Sequence, residues 1–254
     1  MRYIDLHTHT YFRSPDDLQL MAVAGIEAVN ICAFFPIEPT YGETLIDFFD
    51  WLIEEESGRV ESCGLTPYVS AGIHPRSIPK NNFDDAANYL LALIDHGKIS
   101  AVAEVGMDSG SQKEEEVLRI QLRFAVEYDM PILIHTPRTN KPQILNKLLS
   151  ILEDERVDPP RVLIDHVTPD LVKKVLDFGA FCGLTVQPGK LTPADVAAVL
   201  KEHGSKQLVV DSDLGMYPSD PLALPKTAKH LDREGFSAAE IERILYYNPK
   251  LLLR

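Results

Sequence analysis

The strongest constraint on this chain is an alternation that runs along nearly its whole length. Short runs rich in β-branched and aliphatic residues are followed by longer stretches whose apolar residues recur at helical spacing. Strand-like runs fall near residues 3–9, 28–35, 66–73, 99–105, 131–135, 161–167, 181–186 and 207–211. Helical patterns fill 14–24, 40–56, 83–95, 113–128, 141–152, 169–178 and 193–202, and two more, 221–232 and 237–253, close the chain. The punctuation agrees. Ser14-Pro15-Asp16-Asp17 is a helix start with cap, first-turn proline and acids, and Glu114, Glu115 and Glu116 suit the positive end of their helix. Eight strands alternating with helices over 254 residues predict an α/β fold, a (β/α)8 TIM barrel, as a single domain over 1–254. An open doubly wound sheet is the alternative, but no glycine-rich phosphate loop follows the first strand.

In such a barrel the active site forms at the C-terminal ends of the strands. Those ends carry His7 and His9 on the first strand, His74 on the third, Glu104 on the fourth, His135 on the fifth, His166 on the sixth and Asp211 on the eighth. The two histidines of His7-Thr8-His9 project from one strand face, because side chains repeat every second residue. Any one of these residues alone is more simply a hydrogen-bonded core side chain or a helix cap. Together they would carry a steep desolvation cost, and a bound cation is the simplest compensation. His96 and His203 each precede a glycine at a helix end and His230 sits within a late helix, so these three are assigned no site role.

Imidazoles and carboxylates without thiolate suit Zn²⁺, Mn²⁺ or Fe²⁺, and Mg²⁺ less well; zinc is the first choice. Six ligand groups, His7, His9, Glu104, His135, His166 and Asp211, exceed the need of one tetrahedral ion. Two divalent ions about 3.5 to 4 Å apart, bridged by Glu104 and a hydroxide, are the natural arrangement.

Charge limits the partners. With 38 acidic against 25 basic side chains the net charge is −13, which disfavours binding along an extended duplex or on an anionic membrane. Cys32, Cys63 and Cys182 are too few and too scattered for a disulfide framework, and neither a leader nor a membrane span is expected, so a cytoplasmic protein is predicted.

Several of these stretches resemble the TatD family of metal-dependent deoxyribonucleases, within the wider amidohydrolase group of barrels. They are Asp5-x-His7-x-His9, Gly72-Ile73-His74-Pro75, Glu104-Val105-Gly106-Met107-Asp108, Gln121 in its helix, Pro131 to His135, and Val210-Asp211-Ser212-Asp213. The resemblance implies that His7, His9, Glu104 and Asp211 hold one ion, and Glu104, His135 and His166 the other. It also implies that His74 faces substrate and that Asp5 and Asp108 orient ligands. The chain departs from the family pattern on strand eight, where Val209-Val210-Asp211 before Ser212-Asp213-Leu214 stands in place of a Glu-Thr-Asp before a proline, on strand five, where Arg138 lies three beyond His135, and on strand six, with Asp165-His166-Val167.

The expected activity is hydrolysis of a phosphate ester, at a nucleic-acid 3′ end or in a nucleotide-like small molecule, by a metal-bound hydroxide. Asp211 is expected to accept the attacking proton, Glu104 to bridge the ions, His74 to sit beside substrate, and Arg138 or Lys141 to meet its charge. The rival reading is an amidohydrolase-like enzyme cleaving an amide or lactone, against which stands the use of Glu104 in place of a bridging lysine. A non-catalytic metal-binding barrel predicts a missing ligand. A phosphoesterase of the polymerase and histidinol phosphatase type predicts a closing Asp-x-His where this chain has Asp211-Ser212-Asp213.

Overall fold

The computed structural model describes residues 1–253. Eight parallel strands form one sheet in sequential order: β1 (Tyr3–Thr8), β2 (Ile26–Cys32), β3 (Thr66–Ala71), β4 (Ala101–Gly106), β5 (Ile132–His135), β6 (Val162–Ile164), β7 (Phe181–Thr185) and β8 (Leu208–Asp211). Between them run α1 (Pro15–Val23), α2 (Glu43–Trp51), α3 (Ser57–Ser62), α4 (Phe83–Asp95), α5 (Gln112–Glu127), α6 (Lys141–Asp154), α7 (Val172–Phe178) and α8 (Pro193–His203). The chain finishes in α9 (Ala223–Arg233), α10 (Ala238–Glu242) and α11 (Asn248–Leu251). This is the TIM barrel that the alternation predicts. Among the described residues no helix is long and apolar enough to cross a membrane.

The sheet closes on itself where β1 meets the segment after β8. Thr8 bridges Leu214 in parallel, and the His9 amide donates to the Leu214 carbonyl at 2.6 Å. Asp5 completes the seam by accepting from the Ser212 amide (3.1 Å) and hydroxyl (2.5 Å).

Strand periodicity sorts the core into two shells. Val102, Ile132, Ile134, Val162, Ile164, Cys182, Leu184, Leu208 and Val210 face outward into the layer shared with the helices. Leu6, Ala103, Leu133, Leu163, Phe181 and Val209 face inward and pack on one another, with Leu252 from the chain's end in the same cluster. Each fully buried leucine contributes roughly 1.5 to 3 kcal/mol. One step of two residues further along β5 and β8 the inward positions change from apolar Leu133 and Val209 to His135 and Asp211, and beyond the end of β6 Leu163 is followed by Asp165. The polar layer is thus built directly on a packed apolar floor.

Several element boundaries differ from expectation, β6 among them, which ends at Ile164 rather than residue 167. β2 ends at Cys32 rather than residue 35, because Ala33 to Phe35 leave the sheet and bring Phe34 against His9 and His74, with ring centroids 5.5 and 4.7 Å away. The helix expected to stop near residue 56 continues through a π-helical turn, Leu52–Glu56, into α3. The last expected helix is likewise interrupted by a π-helical turn at Arg243–Tyr247.

Candidate metal centre

Five of the expected ligands, His7, His9, Glu104, His135 and His166, converge at the C-terminal mouth of the barrel, all buried. Each ring is held from behind, and the hydrogen-bond partners fix which nitrogen is left over. His7 Nδ1 donates to the Asp165 carboxylate through a short bond, which leaves Nε2 as a lone pair. His9 Nδ1 faces the Cys32 carbonyl at 2.9 Å and the Tyr11 hydroxyl at 3.1 Å, so its Nε2 is also a lone pair. Those two lone-pair nitrogens face each other at 3.2 Å. Glu104 Oε2 stands 3.4 and 3.7 Å from them, and Asp213 Oδ1 3.9 and 3.4 Å. With both rings neutral, four acceptor atoms converge there, an arrangement that a bound cation satisfies; against the penalty of burial, the neighbouring Glu104 and Asp165 carboxylates hold the His7 pKa well above the usual histidine value.

The other carboxylate oxygen of Glu104 serves a second group. Glu104 Oε1 lies 2.8 Å from His135 Nδ1 and 3.4 Å from His166 Nε2. Asp108 meets the remaining nitrogen of His135 at 3.3 Å, and the Thr185 hydroxyl meets that of His166 at 2.8 Å. Asp108 thus stands where an orienting partner was expected. The donors are nitrogen and oxygen only, which fits a divalent ion of the zinc, manganese or iron kind.

The electrostatics express the same demand for positive charge. Burial works against ionisation of Glu104, yet His7, His74 and His135 hold its pKa well below the usual carboxylate value. Asp213 is held low by His9 and Lys190 against the same penalty of burial. Burial, reinforced by Lys190, pushes His166 down to about 4.

The remaining expected residues have other surroundings. Asp211 lies two residues deeper than Asp213, fully buried with neither oxygen hydrogen-bonded, and does not line the cavity above the cluster. It groups instead with His7, Asp165 and His166, and burial together with the Asp165 charge drives its pKa well up. The strand-eight carboxylate facing the His7 and His9 lone pairs is that of Asp213. His74 is buried, accepts from the Arg76 amide at 3.0 Å through Nδ1, and leaves Nε2 without a partner, 3.9 Å from Glu104 Oε2. Asp5 grips the barrel seam rather than a ligand. Lys141 spends its ammonium on the Thr136 hydroxyl (2.8 Å) and the His166 carbonyl (2.5 Å), tying the loops after β5 and β6. Arg138 is at the rim, its guanidinium 5.2 Å from the centre of the Tyr217 ring.

Sequence reasoning passed over three residues: Asp165, Asp213 and Lys190. Asp165 continues the inward period set by Leu163, and Asp213 forms an Asp-x-Asp with Asp211, so both had a signal; Lys190 followed a Pro-Gly pair and had little. Above the cluster opens a cavity of about 640 Å³ whose wall includes Phe12, Arg76, Arg138, Lys141, Lys190 and Tyr217.

Comparison with known proteins agrees with this geometry. The family model described as TatD related DNase matches residues 4–254. A protein of Methanocaldococcus jannaschii described as an uncharacterized metal-dependent hydrolase is 36% identical over 248 residues, 97% of this chain and 98% of the relative. The crystal structure of a TatD-like protein from Archaeoglobus fulgidus superposes with a TM-score of 0.83 at 32% identity, covering 98% of this chain and 99% of that one. A phosphotriesterase homology protein from Escherichia coli, solved with phosphate in its active site, shares the fold at a TM-score of 0.72 and 18% identity, over 98% and 97% of the two chains.

Proposed function

The chain belongs to the family of TatD-related DNases, and from that premise we propose that it is a metal-dependent hydrolase cleaving phosphate esters, in a DNA 3′ end or a nucleotide-like molecule. One observation carries the reading. A nitrogen-and-oxygen donor cluster opens into a cavity whose wall carries Arg76, Arg138, Lys141 and Lys190 beside the carboxylates of Glu104, Asp108, Asp195 and Asp213, so that bound divalent ions would leave the mouth net positive in a chain whose net charge is −13. Cations gathered at one mouth of an acidic protein select an anionic ligand. An acidic exterior suits capture of an end or a small molecule rather than a long duplex.

His7, His9, Asp213 and Glu104 Oε2 would hold one divalent ion, and Glu104 Oε1, His135 and His166 a second, with zinc the first choice and manganese or iron next. Ions held there supply Lewis acidity, polarising the phosphoryl oxygen and making water a nucleophile near neutral pH. The protein's own groups do the rest. Asp165 holds His7 through Nδ1 and Asp108 meets the far side of His135, which orients both rings and would leave His7 Nε2 to a bound ion. The Asp213 carboxylate, at the cavity floor and held low in pKa, would take the proton of the attacking water, the role expected of Asp211 from sequence. Arg76, over the Phe34 ring at 4.9 Å, and Arg138, beside Tyr217, meet the substrate's charge at the rim. Tyr217 and Phe12 offer flat apolar faces to the group attached to the phosphate.

The test is a substrate panel for metal-loaded protein: a 3′-labelled single-stranded oligonucleotide and nucleotide phosphate esters on one side, lactones and β-aspartyl amides on the other. Turnover of the phosphate esters is expected. Turnover confined to lactones or amides overturns the reading in favour of an amidohydrolase, and metal binding without any turnover leaves a non-catalytic barrel.

A further inference from the structure

Lys190 reaches the centre of the cluster from a tight turn that no expectation had placed there. After β7 the chain folds back within a few residues: the Lys190 amide donates to the Gln187 carbonyl at 2.9 Å, and Val186 and Leu191 form an isolated bridge. Pro188 and Gly189 occupy the two corner positions, and Gly189 has φ 83°, the left-handed value that this turn requires and glycine supplies. Gln187 ties the turn to the strand-eight loop by donating to the Asp213 carbonyl at 2.8 Å. A turn closed at both ends and clamped to the neighbouring loop is a rigid mount for one side chain.

That side chain is an ammonium set among metal-ligand candidates. Lys190 Nζ stands 2.6 Å from Asp213 Oδ2 and 3.0 Å from His166 Nδ1, its side chain only 14% exposed, and it lines the cavity. An ammonium has three donors and no acceptor, so at least one N–H has no partner among the described residues. The bond to His166 requires Nδ1 to accept. A neutral imidazole that gives Nε2 to a cation carries its proton on Nδ1 and donates from it, here to the Thr185 hydroxyl at 2.8 Å. Lys190 then keeps Asp213 and has two donors to spare, on a side chain that lines the cavity.

We infer that Lys190 is the residue that anchors the substrate's anion, its ammonium held by Asp213 and donating to an anionic oxygen of the scissile phosphate. The inference rests on the phosphate-ester reading above. It also gives the Pro-Gly turn a purpose, since a flexible lysine on a mobile loop would lose more conformational freedom on engaging the same oxygen.

Inorganic phosphate is the probe, titrated calorimetrically into metal-loaded wild type, Lys190→Met and Lys190→Arg, with bound metal counted in each protein before titration. Wild type is expected to bind phosphate. Lys190→Met is expected to keep its metal and to bind phosphate at least tenfold more weakly, as loss of a charge-assisted hydrogen bond implies, with Lys190→Arg recovering part of the affinity. Equal phosphate affinity in wild type and Lys190→Met overturns the anchoring role while leaving the phosphate-ester reading intact. Loss of metal from both variants overturns it in favour of a clamp on Asp213 and His166. Metal-loaded wild type that takes up no phosphate removes the phosphate-ester reading, and the anchoring role falls with it.

Discussion

Gly183 lies so close to the Asp165 carboxylate that a β-carbon placed on it would stand 2.2 Å from Oδ1. Asp165 in turn holds His7, so a residue with no side chain makes room for the group that sets the first ligand. Gly183→Ala is therefore expected to displace Asp165, loosen His7 and weaken metal binding about 10- to 100-fold, the range for lost outer partners of a ligand. Overpacking adds about 1 to 3 kcal/mol of destabilisation. Metal titration alongside thermal unfolding checks both, and unchanged affinity together with unchanged Tm would contradict the role given to Asp165.

Asp211 and Asp213 differ by one step of the strand period, and the site assigns them opposite fates. Asp213→Asn is expected to lower both metal affinity and turnover by two orders of magnitude or more, because it removes a ligand and the proton acceptor together. Asp211→Asn should be milder in both, since Asp211 does not line the cavity, although one of its oxygens groups with His7, Asp165 and His166. Comparing metal stoichiometry and kcat of the two variants settles the order; a reversed ranking would restore Asp211 to the role the sequence suggested.

Glu56 is a buried carboxylate outside the cluster that nonetheless acts on it. It accepts from the Thr10 hydroxyl at 2.6 Å and from Arg59 at 2.7 Å, while Arg59 donates to the Thr10 carbonyl at 2.8 Å, one residue after His9. Arg59→Met strands the Glu56 charge and should cost about 3 to 5 kcal/mol. A fall in Tm on the order of 10 °C is the expected readout. A change within about 1 °C would mean that the pair contributes nothing at the surface of β1.

Metal removal should be visible without any substrate. A metal held by His7, His9 and the carboxylates around them would bind the folded chain and not the unfolded one, so chelation is expected to lower Tm and zinc to restore it. Free metal at about a hundred times its Kd adds roughly 2.7 kcal/mol per site. Because neutral imidazoles and ionised carboxylates are the binding forms, acidification competes with the metal, and since neighbouring carboxylates raise the pKa of His7 and His135 against the penalty of burial, the restored Tm should begin to shrink already above the free histidine value of about 6.5. A Tm indifferent to chelator and zinc at neutral pH would count against the cluster as a metal centre.

The barrel was legible in the sequence because strand and helix periods are local properties, and the alternation from Tyr3 to Asp211 repeats them eight times. The cluster was legible in outline for a similar reason: strand ends can be located to within about three residues, and histidines there stand out. Resolution finer than that needs the sheet. Whether Asp165 or His166 points inward depends on where β6 ends, after only three residues, and both turn out to serve the site, one beneath and one above. Asp213 lies past the end of β8 and reaches His9 only because Leu214 is bonded to β1. Lys190 depends on a turn after β7 and on the position of Asp213, neither of which a single strand specifies.

The closure of the barrel through Thr8 and Leu214 places ligands from the two ends of the chain in one centre, with His7 and His9 awaiting Asp213 some two hundred positions later. A chain still emerging from the ribosome holds its first two histidines long before it possesses the carboxylate that completes them. On the ligand assignment proposed above, the set for the first ion is complete only once the segment after β8 has met β1.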